Sequence, residues 1–238
     1  MIIPGRFLEI SIHSADVSES LDFYRRMGLI EAEPGDVWSH HYAVVSDGHV
    51  ALGLHGYEFD SPALCWTVPG IATLAPKFGD AGIGLDFLKT GYDEFNELGY
   101  RDPDGQMLTL LEARTFSPAL ETPRPACGFF SEYRYPVRDL AVAIAFWEAR
   151  GFVATDRQDS PVPQATLTSD GIDLNLYNTV QRDRPALVFE TDNHERAMTE
   201  LEAARLEPKL QTDPVRRTES LCLTAPEGTP IIIVEGAT

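Results

Sequence analysis

The chain has 238 residues, 43% apolar and 24% charged, the balance of a folded protein with one large domain or two smaller ones. A formal net charge of −18 argues against a nucleic-acid or anionic-membrane surface, since both need clustered Lys and Arg. Cys65, Cys127 and Cys222 are odd in number and irregular in spacing, which makes neither a disulfide framework nor a zinc pattern and fits a reducing compartment.

Met1 to Arg6 carries no basic leader or long apolar core, and no apolar run approaches membrane-spanning length, so a cytoplasmic protein is expected. Phe7–His13 alternates with period two and reads as a strand, with Glu9, Ser11 and His13 on one face and Leu8, Ile10 and Ile12 on the other. Ser18–Met27 reads as a helix, capped by Asp16 or Ser18 and stopped at Gly28. Leu29–Ala32, His41–Val45 and Val50–Leu54 follow as strands, the last two joined by a Ser46-Asp47-Gly48 hairpin turn. The order then repeats: strand Ala63–Val68, helix Ile71–Phe78, and strands Gly84–Lys89, Glu97–Arg101 and Met107–Leu111 around Asp102-Pro103-Asp104-Gly105.

The whole pattern returns 123 positions later. Phe7 matches Phe130, Glu9 matches Glu132, Asp16 matches Asp139, Gly28 matches Gly151, and Ser46-Asp47-Gly48 matches Ser169-Asp170-Gly171. The expected organisation is an α+β chain of four β-α-β-β-β units in two tandem domains, residues 1–116 and 128–238, with a proline-bearing linker at 117–127. With helices on one side only, each sheet has a second face to cover. Two units facing each other would enclose a cavity lined by alternate side chains.

Asp16…Ser20-Leu21-Asp22-Phe23-Tyr24…Gly28-Leu29, the Asp102–Leu110 turn and strand, and Asp139-Leu140…Phe146-Trp147…Gly151-Phe152 together resemble the vicinal oxygen chelate superfamily of glyoxalases, bleomycin-resistance proteins and extradiol dioxygenases. The resemblance implies paired βαβββ units whose curved mixed sheets enclose cavities. It also implies metal positions at Glu9, Leu52 (or Gly53 if the hairpin shifts by one), Ala63 and Thr109, and at Glu132, Asn175, Ala186 and Ile232. Neither set supplies the two or three His and carboxylate ligands of a catalytic zinc, iron or manganese site, so no metal and no cofactor is expected. An atypical site from Glu9, His13 and His55 is an alternative, with His55 facing inward only if the hairpin shifts. His40, His41 and His49 flank turns and are expected to be solvated.

Without a metal, Glu9 and Glu132 are polar anchors or acid–base groups, since a buried carboxylate must be paired, hydrogen-bonded or protonated. Arg134 faces the same way as Glu132, and Ser11 and His13 can assist Glu9. Ser11, His13, His55, Thr109, Arg134, Asn175 and Tyr177 are the candidate ligand contacts. Trp38, Tyr42, Trp66 and Phe87, and Tyr133, Tyr135, Tyr177 and Phe189, are candidate cavity aromatics, with Trp66 and Phe189 better placed as core. The leading reading is a protein that binds or sequesters a small organic molecule, its partner, with no nucleic acid or membrane and with a homodimer possible. The alternative is a lyase, isomerase or dioxygenase-like enzyme using Glu9 or Glu132, with or without an atypical divalent metal.

Overall fold

The computed structural model describes residues 5–33, 39–91, 95–112, 123–179 and 184–236; Trp38 and linker residues 117–122 lie outside them. The first half runs β1 (Arg6–His13), α1 (Val17–Arg26), β2 (Ile30–Ala32), β3 (Tyr42–Ser46), β4 (Ala51–His55), β5 (Ala63–Thr67), α2 (Ile71–Asp80), β6 (Leu85–Lys89), β7 (Glu97–Arg101) and β8 (Met107–Leu111). The second half repeats it with β9 (Phe129–Val137), α3 (Leu140–Glu148), β10 (Val153–Gln158), β11 (Gln164–Ser169), β12 (Ile172–Asn178), β13 (Ala186–Thr191), α4 (His194–Ala203), β14 (Lys209–Thr212), β15 (Glu219–Thr224) and β16 (Pro230–Glu235). Asp16, not Ser18, caps α1 by accepting from the Glu19 N–H at 3.0 Å, and Asp139 does the same for α3.

Each half forms one eight-stranded mixed sheet, ordered β2-β3-β4-β1-β5-β8-β7-β6 and β10-β11-β12-β9-β13-β16-β15-β14. The units of a half therefore join edge to edge along the β1–β5 and β9–β13 pairs instead of facing each other. One face of each sheet is strongly apolar. Ile10, Ile12, Leu52, Leu54, Leu64 and Trp66 from the first half share a single core with Tyr133, Tyr135, Leu174, Leu187 and Phe189 from the second. Trp66 and Trp147 meet across it, their ring centroids 6.1 Å apart. Trp66 and Phe189 are thus core residues, as their place in the pattern implies.

The opposite faces carry the polar positions. Leu8 departs from simple alternation. A register shift between Phe7 and Glu9 makes it an extra residue in β1, so it packs with Cys65 and Leu111 on the polar face while Phe7 joins the shared core. The same irregularity recurs in β9 between Phe130 and Glu132. These bulges turn Glu9 and Glu132 to one side and the preceding phenylalanines to the other.

Hydrogen bonds lock the halves together. The Asp47 carboxylate accepts from the Phe130 N–H, and Tyr135 O–H donates to Asp102 at 2.8 Å while accepting from Trp147 Nε1 at 2.6 Å. Tyr133 O–H donates to Gln106 Oε1 at 2.9 Å. From the other side, Ser20 and Tyr24 of α1 donate to the two oxygens of Glu227, each at 2.7 Å. Tyr133 and Tyr135 therefore serve the junction and are not on the face of Glu132.

Candidate functional site

The first-half polar face centres on Glu9, which is buried. Its Oε1 accepts from Ser11 Oγ at 2.7 Å and His55 Nε2 at 2.8 Å, and its Oε2 accepts from Tyr42 O–H at 2.5 Å. The pairings Ser11↔Gly53 and His13↔His55 place Gly53 and His55, not Leu52, on this face. A Cβ at Gly53 would lie 2.2 Å from Glu9 Oε2, so the carboxylate sits in the space that only glycine leaves. Ala63 stands opposite Ser11, and Thr109 opposite Cys65 beside Glu9.

Burial alone would raise the Glu9 carboxyl, but the bonds from His55, Tyr42 and Ser11 outweigh it and hold it below its ordinary range. The Tyr42 hydroxyl is pushed far up by burial and by the Glu9 charge. His55 Nδ1 lies 3.0 Å from His40 Nε2, so one proton bridges the rings and the chain Glu9–His55–His40 runs from a buried carboxylate to a half-buried imidazole. Burial, then the neighbouring His55, lowers the His40 value, against the pull of Glu9. Tyr57 and Phe59 pack edge-on against His55 at 5.6 and 5.8 Å. His40 is thus a half-buried member of a network, while His41 and His49 are exposed as expected, His49 stacking on Phe129 at 4.7 Å. His13 packs against Phe59 at 6.3 Å and makes no side-chain bond to Glu9.

The second-half polar face closes on itself. Arg134 Nη2 donates to Glu132 Oε1 at 2.8 Å and Arg134 Nη1 to Asp213 Oδ2 at 2.7 Å, and Arg216 Nη2 approaches Glu132 Oε1 at 3.1 Å. Two carboxylates and two guanidiniums balance, with Asp213 and Arg216 supplied by the β14–β15 connection. Burial would raise Asp213, but the Arg134 charge and bond lower it. Asn175 Nδ2 donates to Gln164 Oε1 at 3.0 Å, and Tyr177 shares its strand and face. Phe87 folds over Gly99 in the first half, where a Cβ would lie 2.2 Å from its ring.

The metal positions implied by the family resemblance do not fit a divalent ion here. Glu9, Gly53, Ala63 and Thr109 do adjoin one another, but only Glu9 is a strong ligand and three donors already occupy its oxygens. Glu132 is likewise engaged by arginines, beside Asn175, Ala186 and Ile232. Among the described residues no group of three or more His, Cys, Asp and Glu is placed to hold a metal ion.

An open cleft lies at the junction of the halves. A cleft of about 570 Å³ is walled by Asp60–Pro62, Arg101 and Asp104–Met107 of the first half and by Tyr135–Arg138, Asn178, Thr179 and Pro185 of the second. Arg138 donates to Asp104 from its backbone N–H at 2.8 Å and from Nε at 3.1 Å. Arg101 reaches Asp86 at 2.7 Å and also pairs with Asp60. None of these residues is among the candidate site residues of the sequence pattern, although one signal points to them. The Asp-Pro-Asp-Gly turn recurs as Ala225-Pro226-Glu227-Gly228, so Asp104 and Glu227 are equivalent, and Arg138 stands where the repeat has Ala15. The two turns each cross to the other half. Glu227 is bonded shut against α1, whereas Asp104 and Arg138 border the cleft.

The arrangement, two mixed eight-stranded sheets built of tandem βαβββ modules, is a fold shared with solved extradiol dioxygenases. In particular it matches a catechol 2,3-dioxygenase with a TM-score of 0.64 at 14% identity, covering 100% of this chain and 89% of that one. It also matches homoprotocatechuate 2,3-dioxygenase from Arthrobacter globiformis with a TM-score of 0.68 at 16% identity, covering 99% and 81%. The halotolerant catechol dioxygenase BphC gives 0.64 at 16% identity, covering 99% and 87%. No protein-family model and no curated protein sequence matches the chain. Among the described residues no helix is long and apolar enough to cross a membrane.

Proposed function

We propose that this chain binds a small organic molecule on a dioxygenase-like scaffold, without the metal its structural neighbours' fold family usually holds. The observation that carries the reading is the Glu9 carboxylate. It fills the space above Gly53 and is committed to Ser11, Tyr42 and His55, so the position of a first metal ligand has become a hydrogen-bonded anchor. The junction cleft, about 570 Å³, falls within the range of small-ligand sites and mixes apolar walls with a few polar groups. Glu9, Ser11 and His55 then hold the sheet that forms one wall of this site, with His13 joined through its N–H to Ser61 at the cleft edge, 2.9 Å away. Glu132, Arg134, Asn175, Tyr177 and Thr109 stabilise the opposite sheet faces in the same way.

Two measurements test this. Protein expressed and purified without chelator is analysed for iron, manganese and zinc, with an expected content well below about 0.1 per chain. Stoichiometric metal that is lost in Glu9→Ala overturns the metal-free reading. A fragment library titrated against 15N-labelled protein is expected to shift amides of Gln106, Arg138 and Asn178; shifts confined to other regions count against the cleft.

A second reading, an acid–base enzyme, is favoured by one observation, the Glu9–His55–His40 chain. Glu9 is ionised and its oxygens are occupied, so His40 would be the group that accepts a proton, with Glu9 orienting His55. Turnover of any fragment that binds, abolished in His40→Gln and preserved in Glu132→Gln, would support this reading over simple binding.

A further inference from the structure

The proposed function leaves the chemical class of the ligand open, and the cleft itself narrows it. Its apolar surface comes from Pro62, Met107, Pro136, Val137 and Pro185, three of them prolines whose rings have little freedom to rearrange. Its charged members are already matched: Asp60 with Arg101, and Asp104 with Arg138 at 3.1 Å. An ion entering this space would give up part of its hydration and find the charges around it already paired, so it gains little in return. Anions face a further barrier, because the chain carries −18 overall. Cations meet two guanidiniums in the walls.

The neutral polar groups point the other way. Asn178 donates Nδ2 to the Arg138 carbonyl at 3.2 Å, which leaves its Oδ1 as an acceptor. Ser61 Oγ accepts from the His13 N–H at 2.9 Å, which leaves its hydroxyl proton as a donor. Gln106, by contrast, is spent on Pro62, Met107 and Tyr133. One acceptor and one donor at the rim of an apolar cleft complement a group that both donates and accepts.

We infer that the cleft takes an uncharged, largely apolar molecule bearing an amide, lactam or hydroxyl-carbonyl group, held between Ser61 and Asn178; the inference rests on the small-molecule reading above. Three probes of nearly equal size test it: phenylacetamide, phenylacetate and 2-phenylethylammonium, each titrated into 15N-labelled protein. The amide is expected to bind about tenfold more tightly than either ion, since each ion gives up hydration and meets only charges that are already paired. It is expected to shift the amides of Ser61, Gln106 and Asn178. Asn178→Leu should bring the three probes to within about twofold of one another, and Pro185→Trp, which fills the cleft from the rim, should abolish binding of all three. Pro185→Trp lies outside the strands, so the test survives if Asn178→Leu fails to fold. An ion that shifts the same amides as tightly as phenylacetamide overturns the ligand class and leaves the binding reading standing. If none of the three shifts any cleft amide at about 10 mM, the binding reading itself falls.

Discussion

Replacing Gly53 by alanine adds one methyl group at the point where the fold has least room for it. The new Cβ would lie 2.2 Å from Glu9 Oε2 and 2.3 Å from both Cδ and Oε1, so the carboxylate must leave its place. Leaving it weakens three bonds to an ionised acceptor, from Ser11, Tyr42 and His55, each worth about 1.5–3 kcal/mol net. Partial relaxation and the favourable Gly→Ala effect in a strand, about 0.5–1 kcal/mol, offset part of the loss. The expected destabilisation is about 3–4 kcal/mol, read from the urea midpoint at neutral pH. Glu9→Ala alone should cost a similar amount, because it strands the His55, Tyr42 and Ser11 donors. In the double variant the methyl meets no carboxylate, so the two effects should fall short of additivity by about 3 kcal/mol. A Gly53→Ala protein within about 1 kcal/mol of the parent, or an additive cycle, would refute the claim that Glu9 lives in the glycine's space.

Four further expectations follow from the same geometry. Glu9 is held below its ordinary value of 4.5, so its contribution is complete above that pH and is lost as pH falls through the lower folded value. Urea midpoints taken between about pH 6 and 3 should therefore decline less steeply in Glu9→Gln, and equal slopes would contradict the argument. Arg134→Met leaves Glu132 and Asp213 buried without their shared cation and should cost about 3–5 kcal/mol. Arg216→Ala, at a partly exposed pair, should cost under about 1 kcal/mol in the same denaturation assay. Tyr135→Phe removes the hydroxyl that links Asp102 to Trp147 and should lower stability by about 1–3 kcal/mol, while tryptophan fluorescence and far-UV circular dichroism continue to report one coincident transition.

The fold was legible because the pattern is written twice, with turns, glycines and helix caps recurring at a fixed offset. Its register was less so. Alternation in Phe7–His13 carries no mark of an inserted residue, so Leu8 is assigned to the wrong face until the strand pairing is known. The choice between Leu52 and Gly53 turns on one residue of hairpin register, which the partner strand decides. The Glu132–Arg134 contact could be anticipated because both partners lie on one strand. Asp213 and Arg216 could not, since they reach the site from a connection about 80 residues away whose path is set by packing. His40 illustrates the same limit: a turn residue by sequence, it is placed against His55 by tertiary structure. The cleft was hidden for a deeper reason. It belongs to neither half, and only docking of the halves creates it.

That docking also bears on how many ligands one chain can hold. The chain is a tandem repeat, and two crossing turns of equivalent origin could have made two equivalent chambers. They did not. Tyr133 and Tyr135 meet Gln106 and Asp102 on one side, where the repeat has only Ile10, Ile12, Thr229 and Ala225 on the other. Glu227 is sealed by Ser20 and Tyr24, while its counterpart Asp104 borders open volume. Duplication has thus yielded an asymmetric pair, one junction a clasp and the other a chamber. A titration should accordingly saturate at a single equivalent per polypeptide, with no second, weaker event from the mirrored position.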